Sequence, residues 1–310
     1  MTMRPLFIGG CGRSGTTMLG DLLGAPPAHV CLPEASYKLA FMRNWGWRQA
    51  HRDASAALSW LQHQRKFREL GIDLGPGPEV AELGFRDLFQ RIAEAYAAAV
   101  GRRDAVVWID HSPQNAQLGR ILFEEWPAAR LVHLVRDGRA IAASVLPLDW
   151  GPNNPVSAAQ WWTKALAHGL ALESTFPGRV LRVSYEELAR EPEPVLRRIC
   201  DFASLGFDPS MLRGGGLRVS AATAGQHSLV GKPPDPARID AWRRTLTSRQ
   251  IELFEAEAGQ LLPLLGYVPV YGEAARGPSA VATLMLEATN RVRNLTINRL
   301  RKRRRRSPRA

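Results

Sequence analysis

The stretch "PLFIGGCGRSGTTMLGDLL", residues 5–23, decides the fold. Residues 5–10 form an apolar run of strand length, and Gly9, Gly10, Gly12 and Gly15 follow in quick succession. Thr16–Leu23 then has the composition of a helix that "GAPP" at 24–27 stops. Strand, glycine-rich turn and helix start are the parts of an anion-binding loop in an α/β sheet. The glycines let the backbone wrap an anion, and the helix offers unpaired amides and the positive end of its dipole. Ser14, Thr16 and Thr17 add hydroxyl donors. Gly10 and Gly15 fit the pattern G-x-x-x-x-G-K-[ST], yet Thr16 stands at the lysine position and the cation is Arg13, on the turn itself. A nucleoside triphosphate site uses that lysine with magnesium. An arginine fork on the turn suits an oxyanion of lower charge, such as a sulfuryl group, which needs no metal.

Working outward, residues 36–101 are mostly helical in pattern, with "GIDLGPGP" at 71–78 as a breaker, and read as a helical insertion. "AVVWID" (105–110) and "RLVHLV" (130–135) are strands on either side of the helix-like "NAQLGRILFEEW", which is the βαβ signature of a parallel sheet. "RVLRVSYEEL" (179–188) adds a fourth strand and a helix start. The expected architecture is one P-loop-like, doubly wound parallel sheet over residues 1–275, carrying the insertion, followed by a basic C-terminal extension at 276–310.

A second anion site follows from "VRDGRAIAAS". Arg136 ends a strand and Ser144 lies two turns into the next helix, so both face one ligand beyond the sheet. Two anion sites at neighbouring strand ends suit a nucleotide phosphorylated at both its 5′ and 3′ positions. The pair "GCGRSGTT" and "VRDGRAIAAS" resembles the motifs of sulfotransferases that use 3′-phosphoadenosine 5′-phosphosulfate (PAPS), especially the branch of protein-tyrosine sulfotransferases and their bacterial relatives. The resemblance assigns Gly12, Arg13, Ser14, Gly15, Thr16 and Thr17 to the 5′-phosphosulfate, and Arg136 and Ser144 to the 3′-phosphate. It runs more softly through "RVSYEEL", where Tyr185 matches a tyrosine near the adenosine. In "HSLVGKPPDPARIDAWRRTL", Ser228 matches the serine that stabilises the transferring sulfate, with Lys232 as a nearby cation, and "LLPLLGY" matches the end of the domain. One departure is Leu148, where the protein-tyrosine branch has a further arginine.

Sulfuryl transfer to a hydroxyl requires in-line placement, charge stabilisation and removal of the acceptor proton. Two residues compete as base. Glu34 matches the glutamate base of the tyrosine branch, and His111, in "WIDHSP", matches the base histidine of cytosolic sulfotransferases. Glu34 is the favoured base, with His111 as its partner or stabiliser, and the reverse assignment stays open. The catalytic set is completed by Arg13 and Ser228.

The chain has 310 residues, 45% of them hydrophobic, and a formal charge of +12. Nine arginines and one lysine lie between Arg291 and Ala310 with no acid, which leaves 31 basic against 29 acidic residues in the body. The tail therefore carries the excess charge, and a nucleic-acid-binding protein acting through that tail is the less favoured class. Val292, Leu295, Ile297 and Leu300 beside the arginines favour peripheral membrane contact, while a solvated, mobile end accounts for the tail equally well. Cys11, Cys31 and Cys200 show neither zinc spacing nor a disulfide framework, and no leader or spanning segment is evident, so a cytoplasmic setting is expected. A small-molecule kinase is the first rival, with Asp110 as its magnesium ligand and Thr16 as the feature against it. The acceptor class, whether sugar, phenol, peptide tyrosine or lipid-linked glycan, is left open by these residues.

Overall fold

The computed structural model describes residues 2–45, 54–74, 83–218 and 230–300. Its centre is a five-stranded sheet in the order β2-β3-β1-β4-β5, formed by β1 (Arg4–Gly10), β2 (His29–Leu32), β3 (Val107–Asp110), β4 (Arg130–Val135) and β5 (Val180–Ser184). Every pairing is parallel: Leu6 lies opposite both Ile109 and Arg130, and Leu131 opposite Val180. Ile8, Ile109, Val132 and Leu134 are buried, as expected for strands covered on both faces. The sheet has one strand more than the sequence reading provides. "HVCL" sits between Pro26–Pro27 and Pro33, with no alternation to mark it, and forms the edge strand β2.

From β1 the chain travels out to the β2 edge, returns to β3 and crosses over β1 to β4. The carboxyl ends of β1, β3 and β4 thus meet at the point where the strand order reverses, which is where open α/β sheets bind ligands. The helices longer than one turn among the described residues are α1 (Thr16–Leu23), α2 (Tyr37–Trp45), α3 (Ala54–His63), α4 (Phe85–Ala99), α5 (Asn115–Glu125), α6 (Gly138–Val145), α7 (Pro155–Thr175), α8 (Tyr185–Arg190), α9 (Pro192–Ala203), α10 (Ser248–Ala258) and α11 (Ala280–Leu295).

Three apolar clusters hold these layers together. The first joins the helical insertion to the sheet: Tyr37, Phe41, Phe67, Phe85 and Phe89 pack with Phe7, Trp108 and Trp126. Phe7 meets Trp108 edge-on at 5.5 Å between centroids, and Phe85 lies 4.6 Å from Phe89. The insertion is therefore part of the core, and Trp60 is a packing residue against Phe41. On the opposite face α1, α8 and α9 pack against Ile8, Val132 and Val183. The third cluster sets α6 against α7 and α10 through Ile141, Trp162 and Phe254.

Arg139 ties this third layer to the second motif. It is buried, donates to Asp137 and Glu255, and lies 4.2 Å from the Trp242 ring centroid. "RDGR" is accordingly no solvated turn: Asp137 caps α6 by accepting from the Arg139 amide at 2.8 Å.

Candidate active site

β1 ends at Gly10, and the turn that follows is held in the left-handed region at Arg13 (φ 71°) and Gly15 (φ 103°). A side chain at Gly15 would stand 2.7 Å from the Tyr185 ring, so the close approach of that ring requires glycine. Gly12 faces Trp161 in the same way, at 2.8 Å. Helix α1 starts at Thr16 with no side-chain cap, leaving its first-turn amides to face the cavity together with Thr16 and Thr17. Ser14 sits within the turn. Its amide donates to Cys11 O at 3.1 Å, its hydroxyl is buried without a partner, and it does not line the cavity.

The second motif meets the first directly. Arg13 Nε donates to Ser144 Oγ at 3.0 Å, joining residues 131 positions apart. Arg136 Nη1 donates to Arg13 O at 3.1 Å, its guanidinium lies 3.9 Å from the centre of the Tyr185 ring, and its Nε is buried with no partner. Burial and the neighbouring Arg136 cation both lower the pKa of Arg13, and Glu34 opposes them. Two guanidiniums pressed together in a half-buried site repel each other, and an anion between them relieves that repulsion. The orphaned Arg136 Nε and the first-turn amides of α1 fit a phosphorylated ligand.

The cavity around these groups has a volume of about 1110 Å³, above the range of one drug-sized ligand, and so has room for a nucleotide and an acceptor together. Glu34, which follows β2, and His111, which follows β3, lie on its wall. Both ring nitrogens of His111 are buried without a hydrogen-bond partner. Burial lowers its pKa, with Glu34 and Asp110 acting in the opposite direction, so the neutral imidazole dominates at neutral pH. Glu34 pairs with Lys66 of the insertion at 3.2 Å. Asp110 is not displayed to the cavity. Its carboxylate accepts from Lys38 Nζ and, at 2.8 Å, from the Ser112 amide, while Lys38 also donates to Asn115. Burial pushes the Asp110 carboxyl up, but the Lys38 ammonium and these hydrogen bonds outweigh it and hold the pKa at about 2.

Ser228 lies outside the described residues. Lys232 is exposed and is not among the cavity-lining residues, and Leu148 is not on the wall either. Several functional neighbours escape sequence reading. Lys66 and Arg218 line the cavity but belong to no motif. Asp21 on α1 is buried and accepts from the amides of Gly215, Leu217 and Gly231, which fixes the backbone at or beside the wall residues Leu217 and Val230. Only the unusual placement of an acid inside an apolar helix face, at "LGDLL", marks it in the sequence.

Together, the parallel sheet, the reversed strand order and the arginine-bearing loop define an α/β protein whose first loop carries its cation at Arg13 and a threonine at the lysine position. The chain belongs to the sulfotransferase family, whose model matches residues 5–209. It is 24% identical over 276 residues to protein-tyrosine sulfotransferase A of Caenorhabditis elegans, covering 85% of this chain and 67% of that protein. It is 27% identical over 290 residues to nodulation protein NoeE of Sinorhizobium fredii, covering 84% and 65% respectively. The sulfotransferase domain of the Synechococcus PCC 7002 olefin synthase superposes with a TM-score of 0.59 at 25% identity, over 86% of this chain and 96% of that one. The sulfotransferase domain of the curacin biosynthetic pathway shares the fold, with a TM-score of 0.59 at 19% identity, over 86% and 99%.

Proposed function

We propose that this sulfotransferase takes its sulfuryl group from PAPS and passes it to a hydroxyl-bearing acceptor, with residues 1–275 carrying the chemistry. The observation that carries this reading is the Arg13–Ser144 hydrogen bond beside Arg136, which gathers both motifs around one cavity. Arg13 and the first-turn amides at Thr16 and Thr17 would hold the 5′-phosphosulfate, and Arg136 with Ser144 the 3′-phosphate. PAPS supplies an activated sulfuryl group whose bond to the 5′-phosphate oxygen breaks as the acceptor oxygen bonds to sulfur.

His111 is the residue best placed to take the acceptor proton: it is neutral, buried and free at both ring nitrogens. Glu34, tied to Lys66, then orients the acceptor side of the cavity, which inverts the order of preference that the motifs alone suggest. As His111 gains the proton, the carboxylates of Glu34 and Asp110 favour the cation that forms. The first-turn amides and Arg13 meet the charge left on the departing phosphate. Asp110, the feature that supports a kinase, is committed to Lys38.

Transfer of radiolabelled sulfate from PAPS to a panel of phenols, sugars, tyrosine peptides and lipid-linked glycans tests the proposal. Label on one acceptor class, lost in H111Q, is the expected result. Transfer of phosphate from γ-labelled ATP with magnesium, and no sulfate transfer from PAPS, would refute it.

A further inference from the structure

The surface of the C-terminal helix has a pattern that the catalytic reading does not use. Val281, Leu284, Met285, Val292 and Leu295 are between 57% and 67% exposed. With the exposed Ala288 they fall within an arc of about 100° on α11, taking 3.6 residues per turn. Seven of the eleven exposed large hydrophobic side chains among the described residues lie between Val281 and Leu300, and five of them share this arc of α11.

The opposite side of the helix is occupied. Asn290 Oδ1 accepts from Asn153 N at 2.8 Å and from Asn153 Nδ2 at 3.0 Å, and Asn154 Nδ2 donates to Leu286 O at 3.1 Å. Polar contacts thus fasten α11 to the loop before α7, three residues from the cavity-lining Trp150, and turn the apolar stripe outward. Charge completes the pattern. Beyond Arg276 the chain has one acid, Glu287, which pairs with Arg291 at 3.9 Å, against nine arginines and one lysine.

We propose that α11 is an interfacial anchor that lays its apolar stripe into an anionic lipid surface, with the basic sequence that follows supplying charge. An amphipathic helix whose aliphatic face is followed by a dense basic run binds such surfaces by apolar burial and attraction to acidic headgroups together. A nucleic acid would engage the arginines but leaves the aliphatic stripe without a role. A second copy of the chain would bring two strongly positive tails together. A protein groove is normally anchored by aromatic side chains, and the stripe has only Val, Leu, Met and Ala.

Co-sedimentation of the full-length protein with vesicles tests the proposal. Vesicles of phosphatidylcholine mixed with phosphatidylglycerol are compared with phosphatidylcholine alone, using wild type, L284E/M285E and R303E/R304E/R305E/R306E. The wild type is expected to sediment with the anionic vesicles only. Each variant should lose about tenfold or more of that binding, because each removes one of the two contributions. The melting temperature and sulfate transfer to a soluble acceptor should stay unchanged, since Leu284 and Met285 are exposed and do not line the cavity and the arginines belong to no motif of the site. Absence of wild-type binding to anionic vesicles would overturn the proposal. So would L284E/M285E binding as tightly as wild type, which leaves only charge and points to nucleic acid, tested by duplex DNA. A dimer in sedimentation velocity that L284E/M285E dissolves, without any vesicle binding, would reassign the stripe to self-association.

Discussion

Replacing Lys38 by methionine removes one half of the buried Lys38–Asp110 pair and leaves a carboxylate with no cation in the core. Lys38 and Asp110 are 2% and 3% exposed, so solvent does not screen the loss. Breaking a buried pair from one side costs about 3–5 kcal/mol. For a chain of 310 residues the unfolding entropy is about 0.65 kcal/mol per kelvin, so a loss of about 4 kcal/mol lowers Tm by about 6 °C. Asp110 also accepts from the amide of Ser112, the residue after His111, so catalysis should fall beyond what the reduced stability explains. K38M/D110L, which removes both charges, should recover much of the Tm but not the activity. Acidification adds a sign. The folded pKa of Asp110 lies below the unfolded value of about 3.9, so its contribution is complete above that pH and fades as pH falls toward about 2. K38M should flatten the pH dependence of Tm in that window. Differential scanning calorimetry measures both effects, and a K38M shift below about 1 °C at neutral pH would refute the buried-pair reasoning.

Arg136→Ala should weaken binding of 3′-phosphoadenosine 5′-phosphate about 10- to 100-fold, the worth of lost charge-assisted hydrogen bonds, and weaken adenosine 5′-phosphate far less. Equal losses in calorimetry would mean that Arg136 acts only by holding the Arg13 carbonyl. Gly15→Ala forces a side chain into φ 103° and against Tyr185, so it should cost about 1–3 kcal/mol in thermal unfolding. Retention of wild-type Tm would show that the turn is not strained. H111Q should lower kcat by about 10²–10⁴, with E34Q affected less, and the opposite ranking restores Glu34 as base. Because burial lowers the His111 pKa, the wild-type rate should rise with pH only below the usual histidine value of about 6.5 and stay flat above it. An inflection well above neutrality would contradict that assignment.

The first loop was legible because an apolar strand, clustered glycines and a helix start are local signals, and β4 matches its expected bounds at Arg130–Val135. β2 was not, since four residues between prolines become a strand only by pairing with β3. Arg13, Arg136 and Ser144 could be named from spacing, but their convergence depends on the crossover that sets β4 beside β1. The Glu34–Lys66 pair and the role of Asp21 rest on contacts between distant segments, which no local pattern encodes. The turn-closing role of the Ser14 amide was illegible for a related reason. A polar residue within a glycine-rich turn reads as a ligand donor, yet its amide closes the turn on Cys11.

The proposed site joins both ends of a 3′,5′-phosphorylated nucleotide in one cavity. Calorimetric titration of the wild-type protein with 3′-phosphoadenosine 5′-phosphate, adenosine 5′-phosphate and ATP with magnesium tests it most directly. The 3′-phosphorylated nucleotide should bind tightest, by about tenfold or more over adenosine 5′-phosphate. Equal affinity for the 3′,5′-bisphosphate and adenosine 5′-phosphate, or preference for ATP with magnesium, would contradict it.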